Sequence, residues 1–258
     1  MTDGAVHLER DGPVARITFD RPAARNAMTW TMYQRLGEIC AELRADTSVR
    51  VAVMRGAGGK AFIAGTDISQ FQAFTSADDG VAYERKMEGF LDGLETLPIP
   101  TLAVVEGFAV GGGLAVAAVC DFRIATPGTK FGVPIARTLG NCMSMKNCAR
   151  LVGALGPVAS KRMLVFGDMV TAEEAQALGF LLGVVEPDAL DARIAAITER
   201  LVKNAPITMR VSKEAIRRAM TALAIEGEDL VRETYGSDDF HEGVKAFVEK
   251  REAKWTGR

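Results

Sequence analysis

The sequence predicts an α/β fold, and three observations carry that prediction. Two short β-branched runs, Val51 to Arg55 and Thr101 to Val105, have the length and apolar continuity of strands buried on both faces. Met32, Leu36, Ile39, Cys40 and Leu43, ahead of both runs, recur at helical spacing, the pattern of an amphipathic helix. Glycine makes up 26 of 258 residues, above the usual ~7%, so many tight turns join the elements.

The first predicted elements are strands at Ala5–Arg10 and Val14–Phe19 around an Asp11-Gly12 turn, the second half-buried because Ala15, Ile17 and Phe19 alternate with polar residues. A polar connection, Arg21 to Met28, ends at Thr29, the expected N-cap of a helix running to about Ala45. Gly56-Ala57-Gly58-Gly59-Lys60-Ala61 follows the buried strand. It is neither a dinucleotide fingerprint nor a phosphate loop, because Ala61 replaces the last glycine, Phe62-Ile63 reads as strand, and no Ser or Thr follows Lys60.

In Ala61 to Ile68 a short strand runs into Gly65, and Asp67 caps a helix through Phe71 and Phe74. In Thr101 to Ala118 a buried strand is followed by Gly111-Gly112-Gly113 and a run of small, helix-permissive residues. Each stretch leaves free N–H groups at a strand-to-helix turn, where an anion or a developing oxyanion can be held; close helix-to-strand packing is the structural alternative. Further on, helical spacing marks Ser160–Phe166, Thr171–Leu178, Ala189–Lys203, Ala205–Ala224, Glu226–Tyr235 and Asp238–Arg251, with Val184-Val185 as a last strand.

Composition narrows the function classes. A length of 258 residues suits one large domain or a domain with an appendage, and 48% apolar with 25% charged residues is ordinary for a soluble protein. A net charge of −2 gives no general attraction to nucleic acid or an anionic membrane. Cys40, Cys120, Cys142 and Cys148 lack paired metal-binding spacing, so no metal site or disulfide framework is expected. No apolar run of spanning length and no signal pattern is read, so the expected location is the cytoplasm, with reduced cysteines.

Several stretches in order resemble the enoyl-CoA hydratase/isomerase (crotonase) family. They are Arg21-Pro22 with Arg25-Asn26-Ala27-Met28, Ala61 to Ile68, Val105-Glu106-Gly107 with Gly111-Gly112-Gly113, Cys120 to Ala125, and Asp238 to Arg251. The resemblance implies a crotonase-like spiral of repeated ββα units over 1–200 and a helical C-terminal region over 201–258 that mediates trimer formation. It further implies acyl-CoA thioester substrates, an oxyanion hole formed by the N–H groups of Thr66 and Gly112, and coenzyme A arriving as part of the substrate with no permanently bound cofactor. The matching coenzyme A positions are Arg25, Ala27, Ala64, Asp67 and Ile68, with Lys250 and Lys254 at the C-terminal end. The expected assembly is a homotrimer or dimer of trimers, with the Phe240, Val244, Phe247 stripe on the core or on a partner subunit.

The departures concern proton transfer. The family's hydratases carry one glutamate two residues after the triple glycine, here Ala115, and one after Phe131-Gly132-Val133-Pro134, here Ile135; a third acid position on the same loop is Asn141. Hydration needs a base for water and an acid for carbon, so the expectation is a thioester enzyme that keeps the oxyanion hole without two-glutamate hydration: an isomerase, a lyase or a hydrolase. A hydratase with other acid-base groups and a catalytically silent acyl-CoA binder are the alternatives. Asn141 is a candidate for orienting water or a carbonyl. Glu106, Arg137, Cys142, Ser144 and Tyr235 are further candidates, whereas His7 and His241 read as surface residues.

Overall fold

The computed structural model describes residues 3–221 and 226–258. Strands β1 (Ala5–Asp11) and β2 (Val14–Asp20) form an antiparallel hairpin closed at Gly12, whose φ of 56° suits glycine. Thr29 caps α1 (Trp30–Ala45), its hydroxyl accepting from the Met32 N–H at 3.3 Å; such a cap stabilises a helix by about 1 kcal/mol. The chain then repeats a pattern: β3 (Val51–Gly56), β4 (Ile63–Ala64) and α2 (Ala77–Glu95); β5 (Thr101–Val105), β6 (Phe108–Val110) and α3 (Gly112–Val119); β7 (Phe122–Ala125), β8 (Lys130–Gly132), α4 (Ile135–Thr138) and α5 (Met145–Leu164). In each repeat the first strand joins the sheet β1-β2-β3-β5-β7 and the second joins the sheet β4-β6-β8, which β9 (Met169–Thr171) completes. The pairings between successive repeats are parallel, so the chain winds as the expected spiral of ββα units.

Alternation along β3, β5 and β7 explains why both faces of the larger sheet are dry. Val51, Val53, Leu102, Val104 and Ile124 face α7 (Leu190–Lys203), which follows α6 (Ala172–Ala177), and meet its Ile194, Ile197 and Leu201. Ala52, Met54, Ala103, Val105 and Ala125 face the main core. Helix α3 is apolar all round and lies buried within that core.

Three readings of the sequence need revising. Helix α2 was not anticipated, although Ser76 and Asp79 form its capping box. The helix expected at Ser160–Phe166 is only the end of α5, which bends at Gly156 (φ 80°) before Pro157 and stops at Leu164. Val184 makes a single bridge to Ala125 in place of a strand.

The C-terminal helices are α8 (Pro206–Thr221), α9 (Glu228–Tyr235) and α10 (Asp238–Glu249); residues 222–224 of the helix expected to reach Ala224 lie outside the described residues. Helix α9 packs on α2, and α10 packs on the 3-10 helix Ile68–Ala73. Of the two places open to the stripe, the core takes most of it. Phe240 and Val244 are buried within their own chain, Phe240 against Phe71 and Phe74, and only Phe247 stays exposed. Tyr235 is fully buried in the same cluster.

Candidate active site

The two glycine turns leave adjacent strands at the same level. β4 and β6 are parallel with Ala64 opposite Val110, so Gly65 stands beside Gly111 and Thr66 beside Gly112. Both glycines have positive φ, 99° at Gly65 and 53° at Gly111, a conformation that L side chains seldom adopt. A Cβ placed on Gly111 would stand 3.9 Å from the Gly65 Cα, and one on Gly112 only 2.9 Å from the Thr66 Oγ1. Gly112 is the first residue of α3, so its N–H has no intrahelical partner. Among the described residues neither it nor the Thr66 N–H meets an acceptor.

The segment before α1 runs beside the Thr66 turn. Ala64 N–H donates to the Arg25 carbonyl, Met28 N–H to the Gly65 carbonyl and Asp67 N–H to the Met28 carbonyl, at 3.0, 2.9 and 2.9 Å. Asp67 caps the 3-10 helix by accepting from Ser69 and pairs with Arg21 at 2.8 Å. Burial raises its pKa, but the Ser69 bonds and Arg21 outweigh that and hold the carboxyl below its ordinary value. Arg25, Ala27, Ala64, Asp67 and Ile68 are thus gathered along one ladder, with the exposed Arg25 guanidinium 5.4 Å from the Phe108 ring centroid. Lys250 and Lys254 are not brought into that ladder: Lys250 is the left-handed C-cap of α10, and the Lys254 N–H donates to Glu242.

Above the turns lies a buried aromatic cluster with one carboxylate in it. The Tyr33 hydroxyl is 2.9 Å from the Thr66 Oγ1, and the Tyr83 hydroxyl donates to the same oxygen at 3.4 Å. Next to Tyr83 on α2, Glu84 is 6% exposed. Its Oε1 accepts from the Tyr235 hydroxyl at 2.9 Å and its Oε2 from the Ser144 N–H at 3.0 Å, at the start of α5. Burial raises its pKa to about 7, against the opposing pull of those two donors. Asn141 Nδ2 donates to the Tyr235 oxygen at 3.4 Å, while its buried Oδ1 has no partner among the described residues. Burial also raises the Tyr33 pKa to about 12 and that of Tyr235 well above its ordinary value, so both phenols stay protonated.

The other candidates are occupied elsewhere. Glu106 is paired with Arg55 through bonds of 2.6 and 3.1 Å. The Cys142 thiol is pushed up to about 12 by burial, too high for a nucleophile. Ser144 caps α5, Arg137 is exposed, His7 pairs with Asp20 at the surface, and His241 is exposed. Ala115 and Ile135 are apolar, and both pack on the main core. Among the described residues no group of three or more His, Cys, Asp or Glu side chains is placed to hold a metal ion, and no helix is long and apolar enough to cross a membrane. A cavity of about 700 Å³ lies apart from the turns, between α5, α8 and the end of α3, walled by ion-paired Arg150, Lys213 and Arg217.

Glu84 went unnoticed in the sequence, yet a signal was present. Gly80, Glu84, Met87, Leu91 and Leu94 follow the helical spacing of four, three, four and three, which places the acid on the buried stripe.

Residues 9–258 match the sequence profile of enoyl-CoA hydratase/isomerase. The chain belongs to the enoyl-CoA hydratase/isomerase family. It is 34% identical to the short-chain-enoyl-CoA hydratase of Clostridium acetobutylicum over 95% of both chains, and 33% identical to the human mitochondrial enoyl-CoA hydratase domain-containing protein 2 over 96% of this chain and 87% of that one. Among family structures, an enoyl-CoA hydratase/carnithine racemase from Magnetospirillum magneticum matches with a TM-score of 0.80 at 34% identity, covering 98% of this chain and 96% of that one. A methylmalonyl-CoA decarboxylase in complex with 2-nitronate-propionyl-CoA matches with a TM-score of 0.89 at 25% identity, over 98% of both chains. The family assignment makes this chain a crotonase-fold, acyl-CoA-binding enzyme.

Proposed function

We propose that the chain forms a thioester enolate on an acyl-CoA and protonates it with a single buried acid, without two-carboxylate hydration. The observation that carries this reading is the pair of level, unoccupied N–H groups at Thr66 and Gly112. Fixed donors aimed at one point stabilise the charge that grows on a thioester oxygen, each typically worth ~3–4 kcal/mol of transition-state energy. Arg25, Ala27, Ala64, Asp67 and Ile68 would carry coenzyme A along their shared ladder, with the Arg25 guanidinium as a charged partner for phosphate. Lys250 and Lys254 would do so only from beyond α10.

The proton would come from Glu84 through Tyr235. With a pKa of about 7, the carboxyl exists in both protonation states near neutrality, the condition for efficient general acid-base work. Asn141 orients Tyr235 and takes no proton itself. Alpha-proton exchange tests the reading: saturated butyryl-CoA incubated with the enzyme in D₂O should gain deuterium at the α carbon, and no gain at any pH from 6 to 9 would reject it.

The likeness to methylmalonyl-CoA decarboxylase favours one version of this chemistry. Loss of CO₂ from a malonyl-type thioester breaks the Cα–carboxylate bond and leaves its electron pair in the enolate, so no base is required. One proton from the Glu84–Tyr235 pair to Cα then completes the reaction. We also infer a cytoplasmic enzyme whose 201–258 region follows a 1–200 core, assembled as a homotrimer or a dimer of trimers.

A further inference from the structure

Three buried hydroxyls meet beside the paired turns, and their hydrogens do not balance. Tyr83 donates to the Thr66 Oγ1, and one hydrogen is shared between that oxygen and the Tyr33 hydroxyl. Two hydrogen bonds use two hydrogens, while Tyr33, Thr66 and Tyr83 carry three. The remaining one sits on Tyr33 or on Thr66, according to which of them donates, and has no acceptor among the described residues. All three side chains are buried, where an unanswered donor is costly.

The place of the spare hydrogen suggests what answers it. A Cβ on Gly112 would stand 2.6 Å from the Tyr33 oxygen and 2.9 Å from the Thr66 Oγ1, so both oxygens lie against the residue whose N–H is unoccupied. We propose that the Tyr33–Thr66 hydroxyl pair supplies a third hydrogen-bond donor to the thioester oxygen, beside the N–H groups of Thr66 and Gly112. This rests on the reading that the thioester oxygen occupies that point. Acceptance at a carbonyl oxygen is broad in direction, so a third donor fits beside two N–H groups, and the enolate's added charge strengthens all three.

The test is the carbonyl stretch of butyryl-CoA, labelled with ¹³C at the thioester carbon and bound to the native enzyme and to Tyr33→Phe, Thr66→Val and the double variant. Thr66→Val keeps the N–H and the branched shape. Tyr33→Phe leaves the Thr66 hydrogen free and Thr66→Val frees those of Tyr33 and Tyr83, so both retain most of the native shift to lower frequency. The double variant moves part of the way back toward free thioester, and its α-proton exchange falls about 10²-fold, the low end for losing one oxyanion donor. A second measurement keeps the fold unchanged: 3-fluorotyrosine at position 33, a stronger donor, deepens the shift. A native shift that neither the double variant nor fluorination alters overturns the third donor while leaving the two-donor hole intact. No shift in the native enzyme rejects both.

Discussion

Glu84 of α2 accepts a 2.9 Å hydrogen bond from Tyr235 of α9, joining the spiral core to the C-terminal helices through a carboxyl with a pKa of about 7. The bond is buried, so removing either partner leaves a polar group unanswered in a dry place. It also gives the site its one candidate acid.

Replacing Glu84 by Gln keeps both contacts available, since the amide oxygen accepts from Ser144 and the amide nitrogen donates to Tyr235. Exchange of α protons should nevertheless fall by about 10²- to 10⁴-fold, the usual range of a general acid-base group. In the native enzyme, turnover that needs the protonated acid should decline as pH rises through about 7. A Glu84→Gln enzyme with native rates and a native pH profile would show that the proton travels elsewhere.

The same shift has a consequence for stability. A carboxyl whose folded pKa stands at about 7, above its unfolded ~4.3, binds more protons folded than unfolded between those values. Its contribution to stability is therefore fully present below about 4.3 and is lost as pH rises through about 7. At pH 8 this amounts to roughly 4 kcal/mol at ~1.4 kcal/mol per pKa unit. Urea unfolding at pH 5.5 and pH 8 should show Glu84→Gln gaining on the native protein as pH rises. Equal differences at the two pH values would mean that the carboxyl titrates normally.

The paired turns were legible in the sequence because their cause is local. A positive-φ glycine after a short strand fixes where the next N–H points, and Gly65 and Gly111 announce themselves at fixed offsets. That Ala115 and Ile135 are apolar is read directly from the sequence, whereas an acid at those places is only what the family resemblance implies. Glu84 was not legible, because its role depends on Tyr235, 151 residues away, and on the docking of α9 against α2. Its helical stripe could have marked it as buried, but nothing local says what a buried acid touches. Phe240 and Val244 show a related limit: an apolar stripe shows that a face is covered, not by which chain, and both stay open until α10 is seen on the core.

Substitution at Gly112 should separate donor loss from crowding. Gly112→Pro deletes the N–H and fixes φ, so activity should be abolished. Gly112→Ala keeps the N–H, but its methyl would meet the Tyr33 hydroxyl at 2.6 Å, the end of a rigid, fully buried ring. Displacing that ring should cost about 1–3 kcal/mol of stability, the usual range for overpacking, and lower turnover as well. Thermal melts beside exchange assays would check both; a folded Pro variant with native activity would remove Gly112 from the oxyanion hole.

The proposed trimer would draw on surfaces other than the buried part of the α10 stripe. Val158, Val165 and Phe166 in the second half of α5 and just beyond it, with Ile207 and Val211 one turn apart on α8, are among the most exposed apolar side chains. Such side chains suit a closed homo-oligomer. Light scattering should give a mass of three or six chains, and Phe166→Asp with Val211→Asp should lower it. A native monomer at micromolar concentration would rule the trimer out.

Hydration is the sharpest discriminator of the chemistry. Adding water across an enoyl thioester needs one group to activate the water and another to protonate carbon. Ala115 and Ile135 offer neither, and Asn141 is held against Tyr235. The oxyanion turns remain, so the thioester should still be polarised. Crotonyl-CoA hydration, followed as loss of enoyl absorbance, should therefore run at least ~10²-fold below a glutamate-bearing relative, the low end of a general acid-base contribution. The Ala115→Glu, Ile135→Glu double variant tests whether proton transfer is all that is missing. Hydration gained by that variant and absent from the native protein would show that the acyl group already sits in hydratase geometry. Fast hydration by the native protein would instead make Glu84 and Tyr235 a hydratase pair, and Glu84→Gln should then abolish it.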